Sequence, residues 1–339
     1  MKVSWEKISV ETEHPFRISR SVRTGEERVW VRLELDGIEG WGEADPSTYY
    51  GETADTVIVA LEHLASRIAD VDDPFRLERI ERDLRALLGR NAAAHSAISS
   101  ALHDWIGKRV GQPLWRLWGL DPEAAPPSSF TIGIDTPAEM AAKTREAAAY
   151  PILKIKLGSE DDEARLAAVR EAAGDRILRV DANAAWTPRS AVEGCAMCAE
   201  YGVEFVEQPL PPARNADLAF VRTHSRLPIF VDESSITASD LPDLAGLVDG
   251  INIKLAKCGG PRRAIRMIHT ARAHGFEVML GCMLETTLGI AAAAHVAPLV
   301  DYADLDGAAL LKEDPFRGPH LDAGRIVLDE APGLGVSLA

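Results

Sequence analysis

ILKIKL (152–157), RILRVDA (176–182), VEFVEQ (203–208), PIFVDE (228–233) and GINIKL (250–255) are five short apolar runs, and each carries a charged residue at its C-terminal end. Between them lie Ala-, Arg- and Glu-rich segments of helical character, such as EARLAAVREAA (163–173). The charged positions Lys156, Asp181, Glu207, Asp232 and Lys254 are separated by 25, 26, 25 and 22 residues, one strand and one helix per step. FTIGI (130–134) precedes the five runs, and FEVMLG (276–281) and YADLD (302–306) follow them, which makes eight. Eight strand–helix units at a period near 25 residues predict a (β/α)8 barrel, here compact at about 180 residues against a typical ~250. Near-continuous apolar strands suit a parallel sheet buried on both faces. A doubly wound open sheet is the alternative, but no GxGxxG follows any strand.

Outside the repeat the texture changes. VWVRLEL (29–35), the turn Asp36-Gly37 and IEGWGEA (38–44) read as a hairpin. Residues 53–110 have long stretches without Gly or Pro, with Val57, Leu61, Leu64 and Ile68 at helical spacing. Breakers from Gly119 to Pro127 mark a boundary. The expected fold class is α/β: a (β/α)8-type, modified TIM barrel with an N-terminal α+β capping domain completed by the C-terminal segment. The expected divisions are 1–120 for the cap, 121–310 for the barrel and 311–339 for a segment that packs back on the cap.

The chain has 339 residues, with 37 Lys+Arg against 52 Asp+Glu, a net charge of −15. That balance argues against a nucleic-acid partner and against docking on an anionic membrane. No run of ~18 apolar residues predicts a membrane span. The charged start, Met1 to Glu13, lacks a ~7–15-residue apolar leader, and four cysteines are too few for a disulfide scaffold. A cytoplasmic homo-oligomer acting on a small molecule is expected.

Apolar strands that end in charge in phase point to a working mouth, because barrel active sites sit at the C-terminal strand ends. Asp181, Glu207 and Asp232 occupy three neighbouring strands and would repel one another. A hard divalent cation resolves the repulsion, and an all-oxygen set favours Mg²⁺ over zinc. Neutralisation by neighbouring Lys or Arg is the alternative. Lys156 and Lys254 lie four strands apart, so their ammonium groups approach the centre from opposite sides. That suits removal of a proton from one face of a carbon and delivery to the other. Plain counter-ions and a Schiff-base lysine are the alternatives. Lys154 shares a strand face with Lys156, and its charge would lower the pKa of Lys156. Asp304 and Asp306, on strand eight, suit a second metal, a helix cap or a substrate ammonium, the last being the better use with a metal opposite.

KIK, DAN, EQP, DES and NIKLAKCGG, in this order and spacing, resemble the enolase superfamily, specifically its muconate-lactonizing-enzyme-like subgroup. GWGEA (40–44) and ALHDWIGKRVGQPLWRLWGL (101–120) extend the resemblance over nearly the whole chain. Asp304-Leu305-Asp306 and GCMLETT (281–287) are similar to the dipeptide epimerases, including the L-Ala-D/L-Glu type. The resemblance implies Lys156 and Lys254 as the acid/base pair and Asp181, Glu207 and Asp232 as ligands of one Mg²⁺. It also implies Asp304 and Asp306 as holders of the dipeptide ammonium, with Thr131, Lys154, Cys282 and Met283 as further substrate contacts. A same-fold dehydratase, cycloisomerase or o-succinylbenzoate synthase is the in-class alternative, and a silent ligand-binding protein the out-of-class one.

One position departs from the pattern. Epimerases acting on Ala-Glu are expected to carry an arginine in the N-terminal loop where Ser21 falls here, with Arg20 and Arg23 nearby. Arg20 is therefore a candidate contact. Tyr49, Tyr50 and Glu52 in the other covering loop would favour an aromatic or cationic side chain, with Tyr50 as the candidate. Cys195-Ala-Met-Cys198 has no second pair and falls in a predicted helix, so packing is expected rather than zinc. Gly259-Gly260 opens a helix and suits either an anion or close packing.

Overall fold

The computed structural model describes all 339 residues, Met1–Ala339. The chain starts with an antiparallel sheet of β1 (Lys2–Ile18), β2 (Ser21–Leu35) and β3 (Ile38–Ala44). The Asp36-Gly37 turn closes the second hairpin with φ of 54° and 73°, the left-handed pair that a two-residue hairpin loop demands. The first hairpin was not legible. β1 and β2 are long and join through Ser19-Arg20, with a register shift between Glu11 and Phe16. No Gly, Asn or Pro announces that turn, and it projects Arg20 away from the sheet.

Three helices cover one face of this sheet: α1 (Ala54–Ala69), α2 (Leu77–Leu87) and α3 (Ala92–Val110). Thr53 and Thr56 form a reciprocal capping box at the start of α1. α3 lies flat on β3 because Gly40 and Gly42 face it; a Cβ at these positions would sit 2.0 Å from Ala101 O and 2.1 Å from Ala97 O. Val29, Val31, Leu33, Leu61, Leu64, Ala97 and Ala101 are fully buried in the layer between sheet and helices.

The repeats form one eight-stranded parallel sheet: β4 (Phe130–Ile132), β5 (Ile152–Lys156), β6 (Ile177–Asp181), β7 (Val203–Glu207), β8 (Ile229–Val231), β9 (Gly250–Lys254), β10 (Glu277–Gly281) and β11 (Tyr302–Asp304). The order follows the chain, and a parallel bridge from Ser128 to Ala303 draws the two edges together into a nearly closed barrel. The outer helices are α4 (Pro137–Glu146), α5 (Asp162–Ala173), α6 (Pro188–Glu200), α7 (Asn215–His224), α8 (Pro261–Ala273) and α9 (Thr287–Ala294). Between β8 and β9 a single turn, Leu241–Leu244, replaces a full helix, which explains the short 22-residue step and the compact barrel. Inside, Phe205 stacks on Phe230 at 4.2 Å, with Tyr302 edge-on to both. These rings plug the floor, so the mouth above is a closed-bottomed cup.

The C-terminal segment ties the layers together. Phe316 packs edge-on against Trp30 and Trp41 of the cap sheet. The backbone N–H of Leu334 donates to the buried Asp104 of α3, while Ile326 and Leu334 sit in the barrel's apolar shell. CAMC falls in α6, where Cys195 and Cys198 are buried free thiols.

Candidate active site

A pocket at the C-terminal mouth of the barrel collects the charged strand ends. Lys154, Lys156, Asp232, Lys254, Asp304 and Asp306 line it from the barrel, together with Thr131, Cys282 and Met283. The tip of the first hairpin and the loop after β3 supply the roof, including Ile18, Arg20, Ser21, Arg23 and Tyr50. Strand period two turns Lys154 and Lys156 to the same side of β5. Lys156 and Lys254, on β5 and β9, therefore reach the pocket from opposite walls.

The three carboxylates end adjacent strands, with Asp181 paired in register to Glu207. All three are buried. Lys156 Nζ lies 2.7 Å from Asp181, and Lys254 Nζ 2.9 Å from Asp232. Lys154 Nζ lies 3.2 Å from Asp181, 2.7 Å from Glu207 and 2.8 Å from Asp304. Burial opposes ionisation of Asp181, but Lys156 and Lys154 outweigh it and hold this carboxyl below the usual range. Lys254 and Lys257 do the same for Asp232. Glu207 differs: burial, and then Asp181, push it up to about 7. Its Oε2, although close to Lys154, meets no donor at hydrogen-bonding angle.

The lysines stand among the carboxylates, and no three acidic, His or Cys side chains close into a cage in this structure. The donor set nonetheless fits a hard cation. It is all oxygen, spread over three neighbouring strand ends, mutually repelling at Glu207 and left with one buried oxygen that no donor satisfies.

Several supports were missed in the sequence. Asn183 donates from its backbone N to Asp181 Oδ1 at 2.8 Å and from Nδ2 to Oδ2 at 3.2 Å. Asn252 Nδ2 donates to Glu207 at 2.7 Å, and Gln208 accepts from the backbone N of Asp232 at 2.8 Å. Lys257, buried one turn beyond Lys254, binds the Asp232 side chain and its backbone oxygen. Each lies one to three residues from a charged strand end, and that polar neighbour was the available signal.

The structure adds to two expectations. Lys154 shares the strand face of Lys156, as expected, but it is engaged elsewhere as well. It is 2% exposed and shared among three carboxylates, which overcome the cost of burial and raise its pKa well above normal. Asp304 and Asp306 are also unequal. Asp304 is already matched by Lys154 and by Ser129 Oγ at 2.6 Å. Asp306 has no cationic partner; it accepts from the backbone N of Thr131 at 2.6 Å, and burial, then Asp304, raise it to about 7.

Arg20 reaches the mouth, but its fork is engaged. Nη2 meets Glu233 at 2.8 Å, Nη1 donates to Asn183 O at 2.9 Å, and the guanidinium covers Tyr49 at 4.2 Å. It ties the hairpin tip to the barrel. A second tie was illegible in sequence. Buried Arg28 of β2 donates from Nε and Nη2 to Leu284 O at 2.8 and 2.6 Å. Glu43 of β3 accepts from the backbone N of Thr286 at 2.8 Å and from Trp30 Nε1 at 2.9 Å. The cap thus holds the strand-seven loop, whose Met283 and Leu284 line the pocket.

Fold and mouth together define a capped α/β-barrel enzyme class with lysines and carboxylates at its strand ends. Residues 3–119 match the mandelate racemase/muconate lactonizing enzyme N-terminal domain, and residues 137–339 match the enolase C-terminal domain-like family, so the chain belongs to the enolase superfamily. An L-Ala-D/L-Glu epimerase of Bacteroides thetaiotaomicron is 40% identical, over 99% of this chain and 88% of that protein. A dipeptide epimerase of Enterococcus faecalis, solved with Mg and the dipeptide L-Leu-L-Tyr, superposes with a TM-score of 0.94 at 35% identity, covering 99% of each chain. An N-succinyl Arg/Lys racemase of Bacillus cereus superposes with the same TM-score at 27% identity, covering 100% of this chain and 96% of that one. Backbone similarity alone therefore does not separate these reactions, and the side chains at the mouth must.

Proposed function

We propose that this chain is an isomerase that epimerises the C-terminal residue of an L,L-dipeptide by a 1,1-proton transfer between two lysines. The observation that carries the reading is the disposition of Lys156 and Lys254 on opposite walls of one pocket, with Asp306 lacking a cationic partner on a third side. The Nζ of one lysine takes the α-proton from one face of the carbon, and the Nζ of the other returns a proton to the opposite face. The cycle leaves the protein's proton count unchanged once the lysines exchange with water. Asp181, Glu207 and Asp232 are the side chains that would hold one Mg²⁺, which supplies positive charge for the negative charge that builds on the substrate carboxylate.

Asp306 is our choice for the principal acceptor of the dipeptide ammonium, with Asp304 set mainly to fix Lys154. Thr131, Cys282, Met283 and Tyr50 line the space around that dipeptide. The dehydratase, cycloisomerase and o-succinylbenzoate synthase alternatives have no substrate ammonium to match a carboxylate without a cation, and an N-succinylated amino acid has none at its α-nitrogen. The domain division 1–120, 121–310 and 311–339 is part of the same reading, with the cap as selector and the barrel as chemist. So are a homo-oligomer, which sedimentation tests, and a cytoplasmic location, which suits four free cysteines.

Incubation with Mg²⁺ and an L,L-dipeptide library in D₂O tests the reaction. Dipeptides that are substrates gain one mass unit, while their N-acetylated counterparts do not. No gain in any dipeptide sinks the reading.

A further inference from the structure

A second concentration of charge lies far from the mouth, in a cleft between α2 of the cap and α8 of the barrel. Arg82, Arg85, Arg262, Arg263 and Arg266 line it, against two acids, Glu78 and Glu81. This is a basic surface on a chain of net charge −15. The acids are already taken. Arg262 binds Glu78 and lies 3.6 Å from Glu81, which also accepts from Ser99 Oγ at 2.7 Å. Arg82 meets Asp83 at 3.3 Å. Arg85, Arg263 and Arg266 pair with no carboxylate.

Two of these three are forced together. A Cβ at Gly259 would lie 3.2 Å from Arg85 Nη2 and 3.4 Å from Arg263 Cδ, so the two side chains converge over that glycine. Gly259 has φ +90°, which together with this crowding explains the glycine there. Arg85 makes no side-chain hydrogen bond, and its Nε is buried without a partner. Burial, and then Arg263, hold Arg85 below its normal range. Glu81 attracts both guanidinium groups but bonds neither, so an added anion would offset the remaining repulsion between them.

We propose that this cleft is a binding site for a phosphate-type oxyanion, held by Arg85, Arg263 and Arg266. Guanidinium forks match phosphate oxygens in pairs, and three forks suit a dianion better than a single carboxylate. Arg85 belongs to the cap and the other two to the barrel, so the bound anion bridges the two layers. Free inorganic phosphate and the phosphate group of a small ester share this chemistry. The proposal stands apart from the epimerase reading, since none of these residues lies at the mouth.

Thermal unfolding and calorimetry of the full chain in phosphate-free buffer test it, with inorganic phosphate, pyrophosphate and phenyl phosphate as probes and acetate at matched ionic strength as control. A ligand that binds only the folded state raises Tm saturably, here by about 2–5 °C at a large excess over Kd. Arg85→Gln with Arg263→Gln removes that rise and leaves Tm without phosphate equal or higher, because the repulsion is gone. Arg266→Gln, on the exposed rim, weakens binding several-fold and serves if the double variant does not fold. Binding by phosphate and pyrophosphate assigns free anions; binding by phenyl phosphate alone assigns an ester. No saturable response, an equal rise with acetate, or an undiminished response in the variants overturns the proposal.

Discussion

The two acidic sides of the barrel mouth are made of the same residue types and are built differently. On one side, Asp181, Glu207 and Asp232 are each buttressed by an amide or ammonium: Asn183, Asn252, and Gln208 with Lys257. On the other, Asp304 is matched by Lys154 and Ser129, while Asp306 has a backbone N–H and no cation. The first side orients each carboxylate by a hydrogen bond from a neighbouring strand or loop, the support that metal-holding carboxylates need. The second leaves one carboxylate open, as an incoming ammonium requires. Lys154 touches both sides, so the two sites are electrostatically joined through one buried side chain.

That contrast breaks most strongly at the lysines. Lys156→Ala and Lys254→Ala should each lower dipeptide turnover by about 10²–10⁴-fold, the range of a lost general acid or base, with substrate affinity by calorimetry nearly unchanged. An undiminished rate in either variant removes that lysine from the proton path. Next in size, Asp306→Asn should raise KM for dipeptides by roughly 10–100-fold, the loss of one charge-assisted contact, with kcat much less affected. An equal fall in kcat with KM constant would place Asp306 in the chemistry instead.

Asp304→Asn tests the other half of the comparison. Its expected effect is on the fold: buried Lys154 loses a counter-charge, and stability should drop by about 1–3 kcal/mol in denaturant unfolding. If KM rises as much as in Asp306→Asn while stability holds, the two aspartates share the ammonium equally.

The smallest effect belongs to the cap-to-barrel tie. Burial raises Glu43 to about 7, although Thr286 and Arg28 oppose the shift. The folded protein therefore binds a proton there more tightly than the unfolded chain does. This group favours the fold fully at low pH, and its contribution is lost as pH rises through about 7. Wild-type Tm should fall across pH 5–7 beyond the trend of Glu43→Gln, by the equivalent of about 1–3 kcal/mol. Parallel curves for the two proteins would assign the slope to other groups, of which Asp45 and Glu285, also buried, are nearest.

Much of the barrel was legible because strand burial and strand-end charge both repeat with the chain. Eight apolar runs became eight strands in order; of the phased residues, Lys156, Asp232 and Lys254 line the mouth pocket, while Asp181 and Glu207 lie buried beneath it against Lys154 and Lys156. What escaped was contact across the fold. Lys154 meets Asp304 at a separation of 150 residues, and Arg20 meets Glu233 at 213. No periodicity encodes which of two neighbouring lysines or aspartates finds a partner, since that depends on barrel closure. The Ser19-Arg20 turn escaped for a different reason: its residues carry no turn chemistry, and the long strands on either side impose the reversal.

The central claim is that two lysines on opposite walls move the proton. Early time points of an epimerising dipeptide in D₂O test it most directly, by mass spectrometry of the separated epimers in both directions. Two bases predict that the product epimer carries deuterium at the α-carbon while the remaining starting epimer is still unlabelled. A product that keeps its α-hydrogen, or a starting pool labelled as fast as the product, would contradict the account.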